Sequence, residues 1–514
     1  MKRLENSLSS IQKQLNFPCF LLAINFVVAF LSYGLFLRIT FSIDSYGHLV
    51  NTVYNMQNSH IQGGRWVNAV VLFMFDRFGV HPVLDQHVGF FMLVASIAIC
   101  TTIIAMRIKD VYNNASNRDL VVLDIMLISA FVNVFFAEMF HFPEMTYLIA
   151  IGLFLSVLAC STLTKNWSVR GIIASCILVS LSFGIYQVLF IYFIIISICL
   201  LLIQCGFKLR KESVIKVIQI LGVGLIGVIL SLTSTQIIIR VLGLAMYERS
   251  SIGFNPSLWI SNIRLIVNLQ YPLFNSALNL VPGSRVAWSV GIILLVGGYG
   301  AIASRIKNNM TYKDMLFTLV MLLGGYASVF IAHVVSPTFW PVPRQMVPFF
   351  AWVSILSVLF FVLSTSKTVK GIILAVSIYL LLANAVFIQQ IAADNLIVNA
   401  LDRQHSVDVI RHIEQHERDN NVVITQIAIQ GDMSPTWFYT NHNPVRFSGD
   451  MNIRAWFVSW SIRGLLYSVS GREFEIVDMD IDIFNHHFYG RNWSRFIPEE
   501  QMIFVEDTLY MILY

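Results

Sequence analysis

The chain reads as an all-α polytopic membrane protein of about 11 transmembrane helices, N-terminus in and C-terminus out, followed by a small α/β or mixed C-terminal domain. Three observations predict this. Hydrophobic residues make up 56% of the 514 positions and charged residues only 12%, against roughly 25% charged in an ordinary soluble domain, and mean hydropathy is +0.70. A soluble enzyme is excluded. The apolar residues arrive in blocks of about 20, the length that spans a bilayer, rather than in the short alternations of a soluble core. Finally, the net charge of +5 hides a division: residues 1–392 hold 25 Lys+Arg against 12 Asp+Glu, and residues 393–514 hold 9 against 17. The first part is the multi-span domain and the second an acidic C-terminal domain.

Apolar runs long enough to cross about 30 Å at about 1.5 Å per residue fall near 18–37, 86–106, 120–137, 145–163, 171–185, 188–205, 217–238, 286–304, 315–334, 346–363 and 371–391. The fifth and sixth share one apolar stretch, interrupted at Gly184-Ile185-Tyr186-Gln187. Cytoplasmic loops retain positive charge. The N-terminus and alternate loops carry 17 Lys+Arg, including all 11 lysines, and the opposite, longer loops carry 8 arginines. That asymmetry sets the N-in orientation. The first run lacks a small-residue cleavage site and is expected to be retained as a span. All six cysteines lie in or beside spans, so the external regions hold no disulfide framework. Chemistry is expected on the external side, where 38–85, 239–285 and the tail are long. In the tail, Asn395–Asp419 reads as an amphipathic helix and Val422–Ile427 as a strand.

The residues that can carry chemistry cluster in those external connections. Asp44, about one turn beyond the first span, is placed either to take a proton from a hydroxyl acceptor or simply to cap a helix. Arg65 in Gln62-Gly63-Gly64-Arg65-Trp66 offers a bidentate fork for phosphate, and Trp66 offers a flat face for a sugar or an interfacial anchor. Glu138, His141 and Glu144 put two acids and a histidine into seven residues. Such groups are costly at a membrane boundary unless they bind acceptor hydroxyls, hold a divalent metal or assist Asp44; a first-turn position in the next helix also accounts for Glu144. Tyr186 and Gln187 form the next external turn, and Arg344 is the lone charge of a Pro-rich connector suited to a lipid-linked phosphate. In the tail, His412 and His416 have metal-like spacing but lack a zinc-protease pattern. Arg446, Arg454, Trp456, Trp460 and Arg463 mix basic and aromatic residues in an acidic setting, which points to a carbohydrate or membrane surface and away from nucleic acid. Apart from Asp124 and Glu138, the spans carry no Asp, Glu, Lys or Arg, which disfavours an ion-coupled transporter.

Taken in order, Asp44, Gly64-Arg65-Trp66, Glu138 to Glu144, Tyr186-Gln187 and Pro343-Arg344 resemble the serotype-converting bacterial O-antigen glucosyltransferases, within the multi-span, lipid-sugar-dependent GT-C class. Two departures stand out: the later acid of the second loop is Glu144 where Asp is usual, and Pro143 stands where a basic residue is common. The resemblance implies a GT-C-like fold and a hexosyltransferase of the bacterial inner membrane, with its active site and C-terminal domain facing the periplasm. It implies a polyprenyl-phosphate sugar donor, a lipid-linked O-antigen repeat as acceptor, contact with membrane lipid, and cooperation with a donor-lipid synthase and flippase. On this reading Asp44 is the base, Arg65 and Arg344 contact the phosphate, and Glu138 or Glu144 binds acceptor or metal, with no cofactor certain and a divalent metal left open. Trp66, His141, Tyr186 and Gln187 complete the substrate-binding set. An O-antigen polymerase and, less readily, a lipid-linked sugar flippase are the alternatives.

Overall fold

Helix α1 (Lys2–Tyr33) carries the first apolar run and gives way to a 3-10 turn at Gly34–Leu37. The computed structural model describes residues 2–51, 53–112, 116–165, 167–251, 253, 255–307, 309–431, 448–491, 493 and 495–513. Three short helices follow in the first long connection: α2 (Ile43–Val50), α3 (Val53–Gln62) and α4 (Trp66–Arg77). The bundle then continues with α5 (Gln86–Val111), α6 (Asn117–Ile128), α7 (Val134–His141), α8 (Pro143–Lys165), α9 (Val169–Ile185), α10 (Leu189–Gln204) and α11 (Lys211–Leu242). After α12 (Pro256–Ser276) come α13 (Arg285–Ala303), α14 (Tyr312–Ser328), α15 (Ile331–Val335), α16 (Pro343–Met346), α17 (Pro348–Leu363) and α18 (Lys367–Asn420).

Among the described residues seven helices are long and apolar enough to cross a membrane: Asn16–Leu37, Gln86–Val111, Pro143–Lys165, Lys211–Leu242, Arg285–Ala303, Pro343–Leu363 and Lys367–Asn420. Of the roughly eleven expected runs, the pair at 171–185 and 188–205 corresponds to α9 and α10, and two others are broken within themselves. α9 and α10 are apolar but shorter, separated by the turn at Tyr186–Val188. The runs at 120–137 and 315–334 are each broken, into α6 and α7 and into α14 and α15. Hydropathy could not show the breaks between α6 and α7 and between α14 and α15 because the residues on either side stay apolar.

A break inside an apolar layer is tolerated only if the freed backbone groups find partners. Between α6 and α7 they do. The Tyr33 hydroxyl donates to the Phe131 carbonyl at 2.7 Å and accepts from the Asn133 N–H at 3.1 Å, and the Tyr192 hydroxyl donates to the Ala130 carbonyl at 3.0 Å. Ser354 donates to the Met126 carbonyl at 2.7 Å, and the Val134 N–H donates to the Asn384 side chain at 3.1 Å. Beside α15, Asn262 similarly donates to the carbonyls of Val334 and Ser336 at 3.2 and 2.9 Å. Asp124, the other acid of the apolar runs, accepts from Asn25 at 3.0 Å, joining α6 to α1.

Burial separates inner from outer helices. Every residue from Leu189 to Ile203 of α10 is buried, as is nearly all of α17, whereas α11 and α13 expose Leu221, Leu225, Ile229 and Leu295 on one face. An exposed face that remains apolar is the signature of contact with lipid tails rather than water.

The tail does not begin with a new element. α18 runs unbroken through residues 392 and 393, so the expected amphipathic helix at Asn395–Asp419 is the polar continuation of the last apolar helix. Helical hydrogen bonding is indifferent to the change from lipid-facing to water-facing side chains, and no glycine or proline lies between Ile372 and Asn420 to break it. The expected strand is also shifted: β1 is Gln426–Gly431. It pairs in parallel with β2 (Glu475–Val477) and with β4 (Thr508–Leu513), and β4 pairs antiparallel with β3 (Met502–Val505), giving the order β2-β1-β4-β3. Helix α19 (Ser459–Ser470) packs on α2, and the tail's apolar core includes Tyr46 of α2 along with Val409, Ile413, Ile427, Trp456, Leu465 and Leu509. The tail thus closes over the end of the bundle where α1 stops and α8 starts.

Candidate active site

Asp44 is positioned by a capping box that the sequence expectation misassigned. Ser42, not Asp44, is the N-cap of α2: its hydroxyl accepts the Ser45 N–H at 3.0 Å while Ser45 returns the bond to the Ser42 N–H at 3.2 Å. Serine and aspartate are comparable caps, and the one that begins the box takes the role. Asp44 is left in the first turn with its carboxylate half-buried and free of capping duty. Its neighbour Ser45 donates to Glu144 Oε2 at 2.6 Å, and the Trp460 indole N–H donates to Asp44 Oδ1 at 3.1 Å. Glu144 lies in the first turn of α8 after Pro143, the alternative position considered for it, and is fully buried.

Glu138 owes its place to the break before α7. Its side chain is completely buried and accepts two bonds from Arg344, one from the backbone N–H at 2.5 Å and one from the guanidinium. The other arm of that guanidinium donates to Asp450 of the tail at 2.6 Å. The cation lies over both the Phe142 and the Trp340 rings, 4.8 Å from each centroid. A guanidinium with two carboxylates and two ring faces is fixed in direction as well as charge. His141 closes α7 by pairing its Nδ1 with the Asn395 side chain of α18 at 2.9 Å.

Arg65 lies 4.9 Å from the centre of the Tyr186 ring. Gln187 donates to the Gly63 carbonyl at 3.0 Å, so the Tyr-Gln turn grips the loop that carries Arg65. Gly64, at φ +75°, is in the left-handed region that glycine favours. Trp66 is not displayed as a sugar face: its indole N–H donates to Ser231 at 3.1 Å, and it rests against Gly184, tying α4 to α9 and α11.

These groups form a closed circuit in which each lies within electrostatic range of the next: Asp44 with Glu144, Glu144 with Arg344, Arg344 and Arg65 with Tyr186, Arg65 with His60, His60 with His48, and His48 with Asp44. Burial, aided by the charge of Arg65, holds the His60 imidazole well below its ordinary value; burial also lowers His48, which Asp44 draws back upward. Burial raises the Tyr186 phenol while Arg344 and Arg65 pull it down. The circuit therefore combines two fixed cations, Arg65 and Arg344, with the Asp44 and Glu144 side chains and two imidazoles whose protonation burial disfavours, an arrangement able to accept an anion beside a base.

Sequence reasoning placed Asp44, Arg65, Glu138, Glu144, Tyr186, Gln187 and Arg344 together, and the structure brings them together. It missed Ser45, His48, His60, Asn395 and Asp450. The Ser42-to-Ser45 spacing was a readable signal for the first; Asp450 gave none. The tail's suspected surface divides. Arg454 and Trp456 are buried, Arg454 pairing with Asp402 at 2.7 Å, whereas Trp460 and Arg463 remain exposed; Arg446 lies outside the described residues. His412 faces Glu499 at 3.5 Å and His416 stacks on Phe504, so the two histidines do not converge. Among the described residues no group of three or more His, Cys, Asp or Glu side chains is placed to hold a metal ion.

The model of the glucosyl transferase GtrII family matches residues 33–363, nearly two thirds of the chain. The chain belongs to that family. No curated protein and no solved structure matches it. As a GtrII glucosyltransferase it is a membrane glycosyltransferase of O-antigen modification, the serotype-converting class, rather than a polymerase or a flippase. The matched residues contain every candidate residue from Asp44 to Arg344, whereas Asn395, Asp450 and Trp460, which contact them, lie beyond the match.

Proposed function

We propose that this GtrII transferase moves a glucosyl group from a polyprenyl-phosphate donor to a lipid-linked O-antigen repeat on the periplasmic side of the inner membrane. The supporting observation is the closed circuit joining Asp44, Glu144, Arg344, Tyr186, Arg65, His60 and His48. It sits at the end of the bundle where a lipid-borne phosphate and a water-borne glycan would meet.

In this reading the donor phosphate lies between Arg65 and Arg344, above the Tyr186 ring. Arg344 keeps Glu138 and exchanges its second carboxylate, Asp450, for the phosphate. Glu138 then acts as a positioning residue that holds the fork. The acceptor hydroxyl approaches Asp44, which takes its proton as the new oxygen–C1 bond forms and the C1–phosphate oxygen bond breaks. The departing phosphate is already a stable anion, so stabilisation by two guanidinium groups suffices and no strong general acid is needed. Glu144, held by Ser45, fixes the turn that carries the base.

The test is Asp44→Asn in proteoliposomes supplied with glucosyl polyprenyl phosphate and unmodified lipid-linked O-antigen repeat. General-base loss is expected to lower kcat by on the order of 10²–10⁴ at unchanged insertion level. Transfer at the wild-type rate would remove Asp44 from the mechanism.

A further inference from the structure

The described tail buries its other tryptophan of this region, Trp456, at 1% exposure, yet leaves Trp460 58% exposed. Its indole is not idle: the N–H is committed to Asp44 Oδ1 at 3.1 Å. The helix that carries it is pressed onto α2 with unusual closeness. A Cβ on Gly464 would stand 1.7 Å from the Tyr46 carbonyl oxygen, and one on Gly47 would stand 3.3 Å from the Trp460 carbonyl oxygen. The indole is therefore registered against the turn bearing Asp44 by backbone-to-backbone contact.

We propose that Trp460 is the acceptor-sugar platform of the active site. A pyranose ring has an apolar C–H face, and an indole hydrogen-bonded through its N–H but 58% exposed supplies the matching surface. The N–H holds Oδ1 of Asp44, leaving Oδ2 directed to a hydroxyl of the ring seated on the indole. A lipid-interface anchor would instead need the N–H for headgroup oxygens, and that N–H is already spent on the carboxylate. The proposal rests on Asp44 being the base, and it assigns the tail a part in acceptor choice that the matched family region does not contain.

The experiment compares Trp460→Ala and Trp460→Phe with the parent protein, full-length in proteoliposomes, varying unmodified lipid-linked O-antigen repeat at saturating donor and then the reverse. Trp460→Ala is expected to raise the acceptor KM by on the order of tenfold, the size of a truncated aromatic contact, with the donor KM unmoved. Trp460→Phe, which keeps a ring face but loses the N–H, is expected to keep the acceptor KM within about threefold and to lower kcat. An unchanged acceptor KM in Trp460→Ala overturns the platform, as does a change confined to membrane affinity of the tail. If Asp44→Asn is inactive while Trp460→Ala binds acceptor normally, the platform alone fails; if Asp44→Asn is fully active, the base reading fails instead.

Discussion

Gly464→Ala places one methyl group where the Tyr46 backbone already is. The added Cβ would lie 1.7 Å from the Tyr46 oxygen and 2.4 Å from its carbonyl carbon, whereas real Cβ contacts essentially never fall under 3.0 Å. Neither atom belongs to a flexible side chain, so relief requires α19 and α2 to separate by at least about 1.3 Å. The Trp460-to-Asp44 bond, 3.1 Å long, would then stretch beyond hydrogen-bonding distance. A misplacement of about 1 Å at a reacting centre costs on the order of 10²-fold in rate, while overpacking costs about 1–3 kcal/mol of stability. The expected outcome is a tail that remains folded, by limited proteolysis, with kcat/KM for glucosyl transfer down by on the order of 10²-fold. Gly298→Ala is the control: it sits in α13 with nothing within 4 Å of its added Cβ, and should leave activity intact. Wild-type kcat/KM in Gly464→Ala would refute the claim that the α2–α19 contact sets the catalytic geometry.

Arg344→Ala leaves the fully buried Glu138 without its cation and should destabilise the protein by about 3–5 kcal/mol; adding Glu138→Gln should recover part of the loss, as read from thermal melts in detergent. A single variant as stable as the parent would show that the pair carries no structural weight. The lowered His60 and His48 make a pH prediction: the unfolded chain binds their protons near the ordinary value of about 6.5 and the folded protein resists. Their contribution to stability is present above that pH and lost as pH falls toward the lowered folded values. The melting temperature should drop between about pH 6.5 and 5, and His60→Gln should flatten the profile; a parent profile flat over that range counts against neutral imidazoles in the circuit.

How much was legible depends on which physical rule governs each feature. Glu138 and Glu144 stood out because unpaired acids are expensive beside lipid, so their presence alone signalled partners. For Asp44 the capping alternative was wrong because Ser42, two residues earlier, supplies the same chemistry to the same helix end. The tail helix was seen as separate because hydropathy falls near residue 392, although helical propensity does not. Trp66 and Gln187 also make contacts that no motif records: one pins α4 and the other grips the Gly63 carbonyl.

By itself the sequence determined that the chain is a membrane protein, roughly where its apolar helices run, and which connections between them hold the candidate chemistry. Bilayer thickness and the cost of burying charge act on local composition, and local composition is written along the chain. Only the tertiary structure decided that α6 and α14 break, that Arg344 meets Glu138 from 206 positions away and Asp450 from 106, and that Trp460 meets Asp44 from 416 away. Those contacts depend on distances set by packing, in which a tyrosine hydroxyl can stand in for a helical hydrogen bond and a missing Cβ can bring two backbones together. No local pattern records them.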